Sequence, residues 1–391
     1  MRLTFAGVAL IAVTYGLARF ALGLFVPELR DTLGLSSSGV GWVLAASFAG
    51  YLVALATAGT LLRRVGARVT ASFSGICAVV GTAGIASAPA ASLTATAAFV
   101  GGVSTGWAST ALADAVQAQL RHARQATAQT TINAGTSVGL VVAAAAATVA
   151  GDAWRFAWLA FAGLAVFATM GVTGAVAGTS RRTPTRHIGP LLQPIGGRLA
   201  ATAVILGGSS ATFWAFGREQ FVAAAALPAG AGRITWVALG LGGVVGAGAG
   251  WAARRYGLVA TVAVVWMMFA SAHLLLASAP ATTASAFALT ATIGAGYMAM
   301  TGLLIVWAVQ DHPDQPGAAV ATAFLVLAAG QTVASPAAGL LADHLELGAP
   351  FVAAAVIAAF GLATLPTSTS QRSNHVSHGR VLLDQLIEGD S

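Results

Sequence analysis

Residues 59–66 read GTLLRRVG and residues 250–257 read GWAARRYG, so one frame of glycine, paired arginines and closing glycine is written twice, 191 residues apart. The chain around these frames has few charges: of 391 residues 57% are hydrophobic and 8% charged, against roughly a quarter charged in an ordinary soluble domain. That balance excludes a soluble globular class. It leaves repeated apolar runs of about twenty residues, the length an α-helix needs to cross ~30 Å of hydrocarbon. Glycine, Ala, Ser and Thr are spread through those runs, as expected where helices approach closely in lipid. The chain reads as an all-α polytopic membrane protein embedded in a lipid bilayer.

Twelve apolar runs begin near residues 5, 39, 70, 92, 127, 156, 199, 233, 258, 282, 318 and 350. The first resembles a signal peptide only superficially, because Arg19 interrupts it, and it is taken as an uncleaved first span. All nineteen basic residues are arginine, and the formal charge is +7. In a soluble chain this would suggest nucleic acid, but here the arginines sort by side. With a cytoplasmic N-terminus, Arg2, Arg63, Arg64, Arg68, Arg121, Arg124, Arg181, Arg182, Arg186, Arg198, Arg254, Arg255, Arg372 and Arg380 fall inside. Arg30, Arg155 and Arg233 fall outside. The expectation is a multi-pass protein of the inner (cytoplasmic) membrane with both termini cytoplasmic and no nucleic-acid partner.

The stretch TSRRTPTRHIGPLLQPIGGR, residues 179–198, reads as a cytoplasmic linker between six-helix bundles at 1–178 and 199–366, with a cytoplasmic tail over 367–391. The bundles align in order. YGLARFALGLFVP from Tyr15 matches FGREQFVAAAALP from Phe216, pairing Gly16 with Gly217, Phe20 with Phe221 and Pro27 with Pro228. Gly101 pairs with Gly294, the AVQ at 115 with that at 308, and the AG at 134 with that at 329. Six helices repeated in the same orientation form a known transporter architecture, with the substrate held near the midplane between the repeats.

On these residues the chain resembles the major facilitator superfamily. Gly59, Arg64, Gly66 and Arg68 match that family's signature after the second span, while Arg63 stands where an acid is usual and Arg254 repeats the departure. Trp154 and Arg155 before the sixth span are a further shared feature. Ala98 replaces the arginine expected in the fourth span. AGTSVGLVVAA keeps Gly135 and Gly139 but lacks the Pro–Gly pair of drug antiporters. The resemblance implies two parallel-repeat bundles of twelve transmembrane helices working by alternating access. It also implies a cavity bordered by the first, fourth, seventh and tenth helices, for which Trp107, Asn133, Trp214, Tyr297, Thr301 and Gln331 are substrate-site candidates. Gly59, Arg63, Arg64, Gly66 and Arg68, with Gly250, Arg254, Arg255 and Gly257, are expected to latch one conformation, Asp114 serving as the acid for Arg64 or Arg68.

Charges inside the spans carry the function. An arginine near a helix centre costs ~2.5–3.5 kcal/mol to insert, so it is paired or faces a pathway. Arg19 lies ~21 Å along the first span and shares a face with Tyr15. In the seventh span Arg218, Glu219 and Gln220 stand at the repeat-equivalent depth, Gln220 matching Arg19, and the expectation is that these groups face one cavity. Two cations against one acid point to a small anionic or zwitterionic solute, with Glu219 pairing an arginine or carrying a coupling proton. Two other readings stay open: a proton-coupled exporter of drugs or hydrophobic compounds, and a non-transporting receptor or scaffold. GVSTG at 102–106 has nucleophile-elbow spacing but lies in a continuous apolar run, and Gly242, Gly246 and Gly250 have helix-packing spacing. No P-loop or zinc-type spacing occurs, so no enzyme, cofactor or metal is expected. His273 and Cys77 read as buried structural residues.

Overall fold

A computed structural model describes residues 1–178, 193–224, 229–278 and 282–367. Most of the expected linker, with Arg181, Arg182 and Arg186, lies outside the described residues, as do Pro228 and the tail beyond residue 367, with Arg372 and Arg380. Among the described residues the secondary structure is helical, without a strand. The spans are α1 (Arg2–Leu24), α2 (37–65), α3 (67–87), α4 (Ala91–Gln119), α5 (His122–Ala150) and α6 (Trp154–Ala175). They continue as α7 (Gly197–Val222), α8 (Gly230–Tyr256), α9 (Leu258–Ala277), α10 (Thr283–Asp311), α11 (Pro316–His344) and α12 (Ala349–Thr364). A short helix, Val26–Leu33, follows α1 and ends on Gly34.

The two quoted frames end at backbone positions that only glycine takes readily. Gly66, between α2 and α3, has φ 80° and ψ 170°; Gly257, between α8 and α9, has φ 89° and ψ 149°. A Cβ at either position clashes with the backbone, so the closing glycine of each frame makes the same turn in each half.

The packing repeats as well. In the first half α1 lies against α5, α2 against α4, and α3 against α6; in the second α7 lies against α11, α8 against α10, and α9 against α12. Small residues set these approaches. A Cβ on Gly102 would collide with the Ser47 carbonyl of α2, and one on Gly294 with the Leu239 carbonyl of α8. The halves meet along α2–α11 and α5–α8, two contacts that a twofold axis along the bundle would exchange. The structure is therefore two parallel six-helix repeats. Large apolar side chains such as Phe156, Phe167, Met170 and Val245 remain exposed on its outside, where acyl chains would lie. Cys77 is half-buried rather than buried, and His273 is fully buried, with Nδ1 2.9 Å from the Phe269 carbonyl.

Arg155 explains the Trp–Arg pair. Its guanidinium donates to the carbonyls of Ala86 and Ala88 at 2.6 and 3.1 Å, satisfying acceptors at the end of α3, where the helix dipole is negative. Trp154 ties the same corner down by donating from its indole to Thr32 Oγ1 at 3.1 Å.

Candidate functional site

The middle of α1 departs from α-helical geometry. Residues Ala12–Phe20 wind with i→i+5 hydrogen bonds, a looser helix that occurs mostly where function requires it. Gln220–Ala224 in α7 winds the same way. Tyr15 and Arg19 both lie on the widened turns of α1.

Arg19 is 3% exposed, and no carboxylate lies within ion-pair reach of it among the described residues. Its Nη2 donates to Gln331 Oε1 of α11 at 2.6 Å, while Nε is buried without a partner. The guanidinium carbon sits 4.0 Å from the ring centre of Tyr51, 4.8 Å from Phe20 and 5.2 Å from Phe48. Aromatic faces recover part of the lost hydration, each about 0.5–2 kcal/mol, but they do not neutralise the charge. The site is a buried cation held by π-faces and one amide.

The second half supplies the other walls. Trp214 of α7 stacks on Phe20 of α1 with ring centres 4.0 Å apart and planes 17° apart. Tyr297 of α10 meets both edge-on, at 6.2 Å from Phe20 and 5.3 Å from Trp214. Gln331 Nε2 donates to Ser210 Oγ at 3.3 Å and to the Tyr297 hydroxyl at 3.4 Å. Tyr15 approaches Tyr51 at 6.1 Å. Of the sequence candidates, the structure thus gathers Tyr15, Arg19, Trp214, Tyr297 and Gln331 into one cluster spanning both halves.

The remaining candidates bond elsewhere. Trp107 donates to Thr57 Oγ1 at 3.1 Å, Asn133 accepts from Gln129 at 3.3 Å, and Thr301 bonds to the Met298 carbonyl of its own helix at 3.0 Å. Asn133 is exposed and Trp107 half-buried.

Arg218, Glu219 and Gln220 do not join Arg19 as expected. Arg218 donates to both oxygens of Glu28, with Nη2–Oε1 at 2.8 Å, and to the Leu24 carbonyl; Arg233 reaches Glu28 Oε1 at 2.9 Å. Glu219 pairs with Arg30, and its Oε2 is buried without a partner. Gln220 donates to the Leu276 carbonyl of α9 at 2.9 Å. The reason is geometric: these residues lie more than one turn past the Trp214 level, where α1 and the short helix bring Glu28 and Arg30 across. Each half gives one carboxylate and receives one. Asp343 of α11 adds a third clasp, accepting from the backbone N–H of Ser37 and Ser38 at 2.8 and 2.9 Å and so capping α2 from the opposite half. Burial alone would raise the Glu28 carboxyl, but Arg218 and Arg233 outweigh it and hold that group below the ordinary carboxylate range.

At the other end of the bundle the expected latch residues form no ion pair among the described residues. Arg63 donates to Thr60 of its own helix at 3.2 Å, Arg255 lies 5.5 Å from the Tyr256 ring centre, and the ends of Arg63, Arg64 and Arg68 are exposed. Asp114 forms no ion pair with Arg64 or Arg68. Gly59 is half-buried within α2, and Gly250 near the end of α8 has the Arg254 guanidinium close by.

Sequence reasoning missed Phe20, Phe48, Tyr51 and Ser210 around Arg19, and Glu28, Arg30, Arg233 and Asp343 in the clasps. A signal existed for some: Phe48 and Tyr51 are three apart on one helical face. Arg30 and Arg233 read only as charges on the outer side, and nothing local to Glu28 or to them shows that such a charge will be drawn between the halves.

Two parallel six-helix repeats, clasped together at one end and enclosing a buried cation that has no carboxylate partner among the described residues, define the parallel-repeat architecture of membrane transporters. Comparison gives the family: residues 8–328 match the profile of the Major Facilitator Superfamily, and the chain belongs to it. No curated protein matches the chain in sequence. Among solved structures, the nucleoside transporter NupG (D323A mutant) superposes with a TM-score of 0.76 at 11% identity, covering 93% of this chain and 100% of that one. The inward-open xylose transporter XylE from E. coli gives 0.73 at 14%, covering 93% and 96%. A D-xylose–proton symporter gives 0.71 at 13%, covering 94% and 98%. The chain is a secondary membrane transporter.

Proposed function

We propose that this transporter moves a small organic anion across the cytoplasmic membrane, coupled to protons, with Arg19 as the anion-binding group. The observation that carries the reading is the Arg19 guanidinium, 3% exposed and without a counter-ion among the described residues. A buried cation left unpaired is costly, and a substrate carboxylate arriving between Arg19 and Gln331 removes that cost. Because Arg19 and Gln331 belong to different halves, the bound anion also couples them.

Glu219 is the proposed proton carrier. It pairs with a single arginine among the described residues, and its second oxygen is buried without a partner, so a proton there removes a buried charge that one pair alone balances, and releases Arg30. Protonation from the Glu28 side would loosen that end and admit the anion; closure over the anion bound between Arg19 and Gln331 would then precede release of both on the other side, after which ionised Glu219 pairs with Arg30 again. The similarity to a D-xylose–proton symporter supports coupling of this kind. The arginine distribution supports the Glu28 end as extracytoplasmic and both termini as cytoplasmic, with bundles at 1–178 and 199–366, linker 179–198 and tail 367–391.

The aromatic cluster favours a second reading, export of hydrophobic compounds, although Arg19 repels the cationic members of that class. Uptake of labelled solutes into proteoliposomes separates the two, since one carboxylate moved with one proton carries no net charge. Carboxylates presented with an inward proton gradient should accumulate, Arg19→Gln should abolish that uptake, and Glu219→Gln should remove the gradient dependence while leaving exchange. Flux of neutral or cationic compounds without carboxylate flux would refute the anion reading.

A further inference from the structure

The walls around Arg19 select more than charge. We infer that the transported anion is an aromatic monocarboxylate whose ring lies between Phe20 and Trp214; this rests on the Arg19 anion reading and narrows it.

The charge count fixes one carboxylate. Arg19 is the single cation of the cluster, since Arg218 and Arg233 are committed to Glu28 at the far end. A dianion would bring a second charge with no partner into a buried site. A zwitterion needs an acid for its ammonium, and among the described residues the carboxylates that form ion pairs are at the Glu28 end, with none within ion-pair reach of Arg19. Aromatic faces can hold quaternary ammonium instead, but three of them already face the guanidinium. A second cation set against the same faces would be repelled by the guanidinium. Polyols need many hydrogen-bonding partners, whereas Gln331, Ser210 and Tyr297 here largely satisfy one another.

The wall geometry fixes the ring. Phe20 and Trp214 are near-parallel, and Tyr297 stands almost perpendicular to both, at 86° and 80°. These are two sides and an end of a flat slot. The sides belong to different halves and can part by one ring thickness when the halves rock. The slot is closed toward the Glu28 end, because a Cβ on Gly23, one turn beyond Arg19, would strike the Trp214 carbonyl. Arg19 precedes Phe20 in sequence, and its guanidinium carbon is 4.8 Å from that ring's centre, so a carboxylate on Arg19 brings its attached ring to the mouth of the slot. A planar π-ring stacks on both sides, whereas a saturated ring is thicker and lacks the matching quadrupole.

The test is calorimetric titration of the full-length protein in detergent with benzoate, cyclohexanecarboxylate, phthalate and glycine betaine. Benzoate should bind about tenfold more tightly than cyclohexanecarboxylate, with phthalate and betaine weaker. Trp214→Leu and Phe20→Leu, each eluting as a monodisperse peak, should bring that ratio to about threefold or less with cyclohexanecarboxylate binding retained. Arg19→Gln should abolish all carboxylate binding. Equal affinity for the two rings, or tighter betaine or phthalate, overturns the aromatic assignment while Arg19-dependent binding keeps the anion reading. Carboxylate binding indifferent to Arg19→Gln, or none at all, overturns both.

Discussion

Replacing Glu28 by Gln should open the end of the transporter that this structure holds shut. Glu28 is the acid shared by Arg218, 1% exposed and 2.8 Å away, and Arg233 at 2.9 Å, so the substitution strands a buried cation and part of another. Removing one member of a buried ion pair costs about 3–5 kcal/mol. That cost falls on the state in which α1 and α7 meet and not on the state in which they have parted. Taking about 3 kcal/mol, the balance between the two moves about 100-fold at 1.4 kcal/mol per tenfold. Asp31 and Glu346 are exposed on opposite halves of this end, and spin labels at Asp31→Cys and Glu346→Cys in a Cys77→Ala background report their separation. Glu28→Gln should shift the distance distribution outward, and Glu28→Asp should shift it less. The pH response carries a sign. The Glu28 carboxyl is held below its ordinary value of 4.5, so its contribution is fully present above that pH and is lost only as pH falls through the lowered value. Between pH 8 and about 5 the Glu28 clasp stays charged, and any opening in that window must come from another group. With Glu219→Gln the distribution should therefore no longer change between those pH values. An unshifted distribution in Glu28→Gln would refute the clasp, and a pH response surviving in Glu219→Gln would refute the division of roles.

Two further substitutions test the frame of the fold by thermal unfolding and hydrogen exchange. Gly66→Ala and Gly257→Ala each force a side chain onto positive φ and should cost about 1–3 kcal/mol, whereas Gly171→Ala, inside α6 with open space around it, should not destabilise; a wild-type unfolding temperature for Gly66→Ala and Gly257→Ala would show that the turns relax. Arg155→Gln removes the donor to Ala86 and Ala88 and should cost about 1–2 kcal/mol, seen as faster exchange at the end of α3 with α9 unchanged.

The repeat was legible because it is written in residues whose reasons are local. Gly66 and Gly257 are needed by a single backbone torsion, and the arginines sort by side through a rule of loops. Arg19 was legible for the same reason, since a guanidinium in the middle of an apolar run is conspicuous without knowing its neighbours. Its partners were not. Gln331 lies 312 positions away and reaches Arg19 only because α1 and α11 pack across the halves. The repeat even misled: aligning Arg19 with Gln220 placed Arg218 and Glu219 at the midplane, yet the same turns of α7 carry them to Glu28 and Arg30. Alignment preserves depth to within about a turn, and one turn of ~5.4 Å separates a substrate site from a gate.

The distribution of charge between the two ends explains why both are needed. At one end Glu28, Glu219 and Asp343 are all engaged across the halves. At the other, among the described residues, Asp311 bonds the indole of Trp307 on its own helix, Asp114 forms no ion pair, and the arginines of both quoted frames are exposed or bonded locally. A carrier must keep its two end states within a few kcal/mol, or one of them is never populated. The cross-half bonds made at the Glu28 end therefore have to be matched, when that end parts, by bonds absent from this state. On the proposed cycle Arg63, Arg64, Arg68, Arg254 and Arg255 are the reserve that supplies them, with Asp114 as the acid within the first half. An arginine left unpaired in one state and paired in the other contributes to that balance, and so, on the proposed cycle, does Arg19, whose partner there is the substrate anion.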